Sequence, residues 1–184
     1  MNHNHVRYAD DDVTPVKRLA EMRIPSLALG LLLGLVLSFA TSRFEEVLLA
    51  DVKLVFFIPL VVYMAAAVGA QTQSIYVRDL KTGKANFKTY LFKETLLGIL
   101  LAAVSSIMIA SVVLFWFGSV VLMLAVALSM FAAVVVAPLV ALLVSEILAL
   151  EHADPAVGSA PISTVIQDTL SVVIYGVVAS YIIL

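Results

Sequence analysis

A run of 51 residues without a charged side chain, 95–145, restricts the fold of this chain more than any other feature. A helix that crosses a membrane needs about 20 consecutive apolar residues, so the run has room for two spans. The break between them is predicted at Phe117-Gly118-Ser119, directly after Trp116, because tryptophan is enriched at the membrane–water interface. The run therefore predicts spans at about 94–117 and 120–145, with Pro138 expected to kink the second.

Composition supports an integral membrane protein whose immediate surroundings are lipid. Hydrophobic residues make up 62% of the 184 positions, whereas soluble domains contain about 45–50% by a similar count. There is no cysteine, which excludes disulfides, thiol chemistry and a cysteine-based zinc site. The N-terminal residues are polar and acidic, so no cleavable signal peptide is predicted.

Three further apolar stretches predict spans at about 25–42, 54–77 and 161–184. The predicted fold class is thus all-α, a polytopic membrane protein with five transmembrane helices in residues 25–184. Residues 1–24 are interpreted as a polar cytoplasmic leader, in which 16–24 could form a short interfacial helix with Thr14 as its N-cap. Nine of the 11 lysines and arginines lie in this leader and in the loop 78–93. Because positive charge stays on the cytoplasmic side, the N-terminus is predicted inside and the C-terminus outside the plasma membrane.

One carboxylate, Asp168, lies inside the last predicted span. A charged group within a membrane span is costly and is by default a hypothesis of function. Thr164, Ser171 and Tyr175 follow at helical spacing, so we expect them on the same face as Asp168. Two interpretations are open: a pathway for ions or protons, and a structural contact in which a protonated Asp168 and the hydroxyls hold neighbouring helices together.

Polar residues elsewhere are candidates for the same pathway. In the second span Ala67, Gln71, Ser74 and Arg78 share one helical face, next to small residues that allow close packing or a cavity lining. Glu45 belongs to an acidic loop that could concentrate cations at a pore mouth, although a solvated loop is the simpler explanation. The histidines His3, His5 and His152 are expected to be solvated and not metal ligands.

Three motifs resemble the membrane domain of the MgtE-type magnesium channels. They are FFIPLVVYMAAAVGAQTQSIYVRDL, the Lys93-Glu94 pair that opens a span, and DPAVGSAPISTVIQDTLSVVIYG. The resemblance covers about residues 25–184 and implies a homodimer whose ion path runs between the second and fifth helices near the two-fold axis. It also implies that Asp168 is the magnesium-site carboxylate, that Glu45 matches an acid of the first loop, and that Arg78 matches the arginine ending the second span.

The sequence also departs from that family. Where its members carry a Gly-Gly-Asn…Gly-Asn-Gln run, this chain has Ala65-Ala66-Ala67-Val68-Gly69-Ala70-Gln71, and Ala160 replaces another asparagine. The family's regulatory N domain and paired CBS domains are not represented in these residues.

The sequence thus predicts transport of a divalent cation, with Mg²⁺ as the transported ion and no prosthetic group. Magnesium keeps most of its waters and is held through one or two carboxylates. The predicted metal-site residues are the main carboxylate Asp168, the water-mediated contacts Thr164, Ser171 and Gln71, and Glu45 at the pore mouth. The alternatives are a non-transporting subunit or scaffold with the same fold, and a cation exchanger coupled to protons or sodium. No enzyme and no nucleic-acid partner are predicted, because catalytic motifs are lacking and the few basic residues flank spans.

Overall fold

The computed structural model describes residues 15–150 and 155–184, and all the regular structure in them is helical. These residues form six α-helices and one 3-10 turn. In chain order they are α1 Val16–Ser42, α2 Glu45–Ala50, the 3-10 turn Val52–Phe56, α3 Ile58–Lys81, α4 Phe87–Phe117, α5 Val120–Leu150 and α6 Pro155–Ile183. The expectations for His3, His5, Thr14 and His152 concern positions outside the described residues.

Four segments are long and apolar enough to cross a membrane: Val52–Lys81, Phe87–Phe117, Val120–Ile147 and Ser163–Ile183. In α1 the apolar part found among the described residues is the shorter stretch Gly30–Ser42. The chain is therefore an all-α, multi-pass membrane protein. The fifth span stays a prediction.

Several helices extend beyond the predicted spans. α4 begins at Phe87 and not near Glu94, and the Asn86 side chain caps it by accepting a hydrogen bond from the Thr89 backbone N–H at 3.1 Å. The charged segment 78–93 is thus mostly helical, since only residues 82–86 connect α3 to α4. α1 is continuous from Val16 to Ser42, so residues 16–24 belong to it and do not form a separate interfacial helix.

The predicted break in the long uncharged run coincides with the end of α4. Gly118 adopts φ +62°, the left-handed conformation that commonly ends a helix and that glycine adopts without steric cost. Its backbone N–H donates to the Leu114 carbonyl at 2.9 Å. Two residues later α5 begins.

α5 is the most buried of the four spans and packs against α4, α6 and α3. Close approach depends on small residues at the contacts. Gly98 of α4 lies against Pro138, and a Cβ added there would be 2.8 Å from the proline Cγ. Gly69 of α3 faces the backbone of Ala137, and a Cβ added there would lie 3.4 Å from the Ala137 carbonyl oxygen. α5 continues through Pro138, and the proline ring occupies the space beside Gly98.

The outer surface of α4 is apolar. Its large exposed side chains include Leu96, Leu100, Ile107, Met108, Phe115 and Trp116. Such a surface is stable against acyl chains but not against water.

Candidate functional site

Asp168 is the single charged residue in the sequence of α6. Its side chain is half-buried, and it lies beside the stripe along which α6 packs on the rest of the protein. Among the described residues, no three of the types His, Cys, Asp and Glu come together as a cluster that could hold a metal ion. The chemistry available at Asp168 is therefore that of one carboxylate per chain.

The buried stripe of α6 advances in steps of four residues. Its members are Ser163, Gln167, Ser171, Tyr175 and Ala179. With 3.6 residues per turn, each step of four rotates the stripe by about 40° around the helix axis. The four residues predicted to share one face are consequently divided: Ser171 and Tyr175 are buried, Thr164 is exposed, and Asp168 is intermediate.

A narrow cleft separates α3 from α6 near Asp168. Small residues and one glutamine line it on α3, and polar residues line it on α6: Ala66, Gly69, Ala70, Gln73, Ser163, Thr164 and Gln167. Its enclosed volume is about 20 Å³, which is enough for about one water molecule. Thr164 and Ala70 are exposed, so the cleft opens at these two residues.

The second span places its predicted site residues elsewhere. Gln71 and Ser74 are exposed, whereas Thr72 and Tyr76 point into the protein. The structure thus brings Thr164 to the cleft with Gln73 instead of Gln71.

Gln167 is the cleft residue that the sequence analysis missed. It is 4% exposed. Its amide Nε2 donates to Ser171 Oγ at 3.2 Å, and Ser171 Oγ donates in turn to the Gln167 backbone carbonyl at 2.8 Å. A polar residue every fourth position (Ser163, Gln167 and Ser171) was the signal in the sequence that could have identified it.

The extracellular end predicted for α6 is attached to the segment between α1 and α3. The buried Tyr175 hydroxyl donates to the Leu54 carbonyl at 2.7 Å. One residue further on, the Phe44 ring lies directly on Gly176, where a Cβ would overlap it. The first contact requires the Tyr175 hydroxyl, and the second requires a glycine at position 176.

Glu45 lies in this segment and is exposed. It belongs with Glu46 to the first turn of α2, where acidic side chains interact favourably with the helix dipole. Glu45 also lines a shallow, mostly apolar groove with Thr41 and Leu48. The helix dipole of α2 thus explains an acidic residue at this position independently of the predicted role at a pore mouth.

A second polar network joins the other ends of α3, α4 and α5. Thr72 donates to Glu94 Oε2 at 2.7 Å, and one turn later Tyr76 donates to Glu146 Oε2 at 2.5 Å. Tyr90 donates to Asp79 Oδ2 at 2.5 Å, and Asp79 also binds Arg78 at 2.9 Å. The half-buried carboxylates of Glu94 and Glu146 therefore hold α3 to its two neighbours. Arg78 is exposed and paired with Asp79.

Comparison with known proteins agrees with this architecture. The profile of the MgtE family, described as a divalent cation transporter, matches residues 58–178, which run from the start of α3 through most of α6. The magnesium transporter MgtE of Bacillus subtilis (strain 168) is 34% identical over 167 residues, which cover 89% of this chain. The chain spans 37% of that relative's length. The predicted resemblance and the prediction that the chain is not an enzyme are both confirmed, since this is a family of transporters. The chain belongs to the MgtE family of divalent cation transporters.

Proposed function

We propose that this protein carries divalent cations, with Mg²⁺ as its main substrate, along a path lined by α3 and α6. The observation that carries the proposal is the family match across α3–α6, together with one carboxylate in the sequence of α6, Asp168, which directly follows the cleft residue Gln167. The Bacillus subtilis relative is a magnesium transporter, and this chain is 34% identical to it over 167 residues. From this similarity we infer that this chain transports magnesium as well.

One carboxylate per chain suits magnesium. Mg²⁺ releases its waters reluctantly, so a protein holds it through one or two carboxylates and through hydrogen bonds to retained waters. Asp168 supplies the charge, and the exposed Thr164 and Gln71 are placed at the surface to contact waters. Ser171 is fully buried and already bonded to Gln167, so its part is to hold Gln167 in position.

An exposed amide on α3 favours a homodimer. Gln71 is exposed on a single chain, yet it lies at membrane depth. A glutamine amide that faces lipid costs several kcal/mol. A second copy related by a two-fold axis covers it and brings two Asp168 side chains toward one path.

Cross-linking tests the dimer. In this cysteine-free chain, Gln71→Cys is expected to give a covalent dimer on mild oxidation in native membranes. Leu100→Cys on the apolar face of α4 serves as the control and is expected to stay monomeric. Equal cross-linking of both variants would contradict the proposed two-fold arrangement.

Flux through liposomes containing the purified protein tests the function. We expect Mg²⁺ uptake by the natural chain, and uptake at the level of empty liposomes for Asp168→Asn, because the variant keeps the side-chain size but removes the charge. Glu45→Gln removes the same charge at the surface, and we expect it to lower uptake only at low Mg²⁺ and low salt. If the natural chain passes no ion above background, the scaffold alternative replaces the proposal. If uptake requires an imposed proton or sodium gradient, the coupled exchanger replaces the proposal.

A further inference from the structure

An apolar groove separates part of α1 from α6. Its volume is about 310 Å³. Five of its six lining side chains are aliphatic: Leu33 and Val36 on α1, and Val165, Ile166, Thr169 and Leu170 on α6. Val36 and Ile166 are exposed, so the groove opens at the protein surface. Its α6 residues belong to a segment long and apolar enough to cross a membrane. At that depth water is absent, so the groove takes either an acyl chain or another protein helix.

The groove and the cleft between α3 and α6 lie on different faces of α6. Ser163, Thr164 and Gln167 line the cleft, and none of them lines the groove. Ile166 of the groove follows Thr164 by two residues, which places the two about 160° apart around the helix. The two-fold contact proposed above is made on the α3 side, so it leaves the groove on the α1 side uncovered. An acyl chain of the bilayer is therefore the occupant that the proposed dimer leaves room for.

The start of α1 carries basic side chains in line with the groove. Lys17 and Arg18 are exposed, and α1 is continuous from there to the groove residues. Val36 follows Arg18 by 18 residues, or five helical turns, so the two lie on the same face about 27 Å apart. Leu33 lies about 22 Å from Arg18 along the axis. One bilayer leaflet with its headgroups is about 20–22 Å thick. A phospholipid whose phosphate contacts Arg18 therefore extends as far as the groove.

The charge at this end of α1 favours a headgroup of net negative charge. In sequence the first two turns hold Lys17, Arg18 and Arg23 against the one acid Glu21. Arginine binds phosphate through two parallel N–H···O bonds. Basic residues next to a membrane span are attracted to anionic lipids. Phosphate recognition alone would suit any phospholipid, and the excess of positive charge selects the anionic ones.

We propose that Arg18 and the groove between α1 and α6 form a binding site for one anionic phospholipid. Its phosphate contacts Arg18, and one of its acyl chains occupies the groove. In the predicted topology this lipid belongs to the cytoplasmic leaflet. It joins α1 to α6, the main neighbour of α1 in the fold. The site goes beyond the proposed function and does not depend on ion transport.

Native mass spectrometry of the purified full chain, delipidated in detergent and then supplied with lipid, tests the headgroup contact. The probes are phosphatidylglycerol and phosphatidylcholine with the same acyl chains. We expect one tightly held phosphatidylglycerol per chain and weaker binding of phosphatidylcholine. Arg18→Gln is expected to weaken phosphatidylglycerol binding by about fivefold, the usual contribution of one basic residue near an anionic surface. Lys88→Gln is the matched control, because Lys88 is exposed near the start of α4, away from the groove. We expect it to leave both affinities unchanged.

Filling the groove tests the acyl-chain contact. Val36 is 55% exposed, so Val36→Trp places an indole in the groove without disturbing a packed core. We expect it to lower the binding of both lipids. Leu31→Trp is the control: Leu31 is 69% exposed and lies about 140° away around α1, so both affinities should stay unchanged. Phosphatidylglycerol with six-carbon chains is too short to reach the groove and should bind the natural chain and Val36→Trp equally.

Three results would overturn the proposal. Equal binding of the two lipids by the natural chain, or equal losses in Arg18→Gln and Lys88→Gln, would show that no specific headgroup site exists. Natural affinity for both lipids in Val36→Trp would exclude the groove. A disulfide-linked dimer of Ile166→Cys on mild oxidation in native membranes would place a second copy there instead of lipid. Arg18→Gln changes an exposed residue and decides the headgroup contact even if Val36→Trp does not fold. None of these measurements involves ion flux, so they fail or succeed independently of the proposed function.

Discussion

Several buried side chains of α6 are polar and make hydrogen bonds inside the protein. Gln167, Ser171 and Tyr175 lie on its packed stripe, and each makes a hydrogen bond inside the protein. In a helix surrounded by lipid such bonds have few competitors, because water is absent from the hydrocarbon region. The bonds of Gln167 and Ser171 lie within α6, whereas the Tyr175 bond reaches Leu54 and therefore restrains the rotation of α6 and the direction of Asp168.

Tyr175→Phe tests this anchoring. The change removes the hydroxyl that donates to the Leu54 carbonyl at 2.7 Å and keeps the ring, which is 1% exposed. We expect a loss of about 1 kcal/mol in the free energy of unfolding, because the Leu54 carbonyl still accepts from the Phe57 N–H. The measurement is reversible denaturation of the protein in mixed micelles.

Tyr181→Phe is the control for that experiment, since its ring is 91% exposed. We expect its stability to stay within about 0.5 kcal/mol of the natural chain. Equal losses in the two variants would show that the Tyr175 hydroxyl does not anchor α6.

Individual residues were predictable where their chemical cost was large. Asp168 was predictable as a candidate site residue, because a carboxylate inside an apolar span is conspicuous in any arrangement. Gln167 was not, because the importance of an uncharged amide depends on its neighbours: Ser171 on its own helix and the small residues of α3 across the cleft. A periodicity read over four residues also could not show that the buried stripe rotates along α6.

Contacts between helices depend on a few small residues. The approach of α4 to α5 is closest where Gly98 meets the ring of Pro138. Without a hydrophobic driving force in lipid, such packing is a main source of helix association. The glycine and the proline therefore act as a pair, although 40 positions separate them in the sequence.

Gly98→Ala is expected to destabilise the protein by about 1–3 kcal/mol, the usual cost of adding an atom to a packed contact. The added Cβ would lie 2.8 Å from Pro138 Cγ, so the ring or the helix must shift. Thermal denaturation in detergent, followed by loss of soluble protein, measures the change.

Gly34→Ala provides the comparison, because nothing lies within 4 Å of a Cβ at that position. Alanine favours a helix over glycine by about 1 kcal/mol, so we expect this variant to be as stable as the natural chain or more so. If Gly98→Ala behaves the same way, the α4–α5 contact is looser than the structure indicates.

The existence of the apolar helices could be predicted from hydropathy, but their ends could not. Hydropathy follows the lipid boundary, whereas α4 begins at Phe87, before the apolar stretch. Its start is set by the Asn86 cap and by contacts such as Tyr90 with Asp79. These hydrogen bonds involve specific side chains, so hydropathy averaged over several residues does not report them.

The connecting segments of the whole molecule gather at two opposite ends. At one end Phe56 and Phe57 of the first connector contact the ring of Phe117, and Lys53 lies over the same ring at 5.8 Å. At the other end Asp79 binds Tyr90, and Tyr76 binds Glu146. α3, α4 and α5 therefore alternate in direction, as consecutive membrane spans do.

Single cysteines report which end faces the cytoplasm. We predict that Lys84→Cys reacts with a membrane-impermeant maleimide only in inside-out vesicles, and that Ser119→Cys reacts only in right-side-out cells. The reason is the concentration of lysine and arginine in the leader and around residues 78–93. The natural chain contains no cysteine and gives the background for both measurements. Labelling with the sides exchanged would invert the proposed topology.

The alternation of spans was accessible from the sequence, because charges and apolar runs alternate visibly along it. The order of packing was not: α5 is the most apolar of the four spans, but a strongly apolar helix is compatible with lipid as well as with a protein interior, so hydropathy alone does not make it the central helix. That choice depends on where Gly69 and Gly98 allow α3 and α4 to approach the same helix from two sides.

The clasp between α6 and the connector of α1 and α3 has a mechanical consequence. The Phe44 ring rests on Gly176, and the Leu54 carbonyl is bonded to Tyr175, so the last helix cannot pivot alone. A rotation of α6 that changes the position of Asp168 therefore also moves the short helix α2. Under the proposed function, we expect a ligand bound to α2 to restrict the movement of this carboxylate.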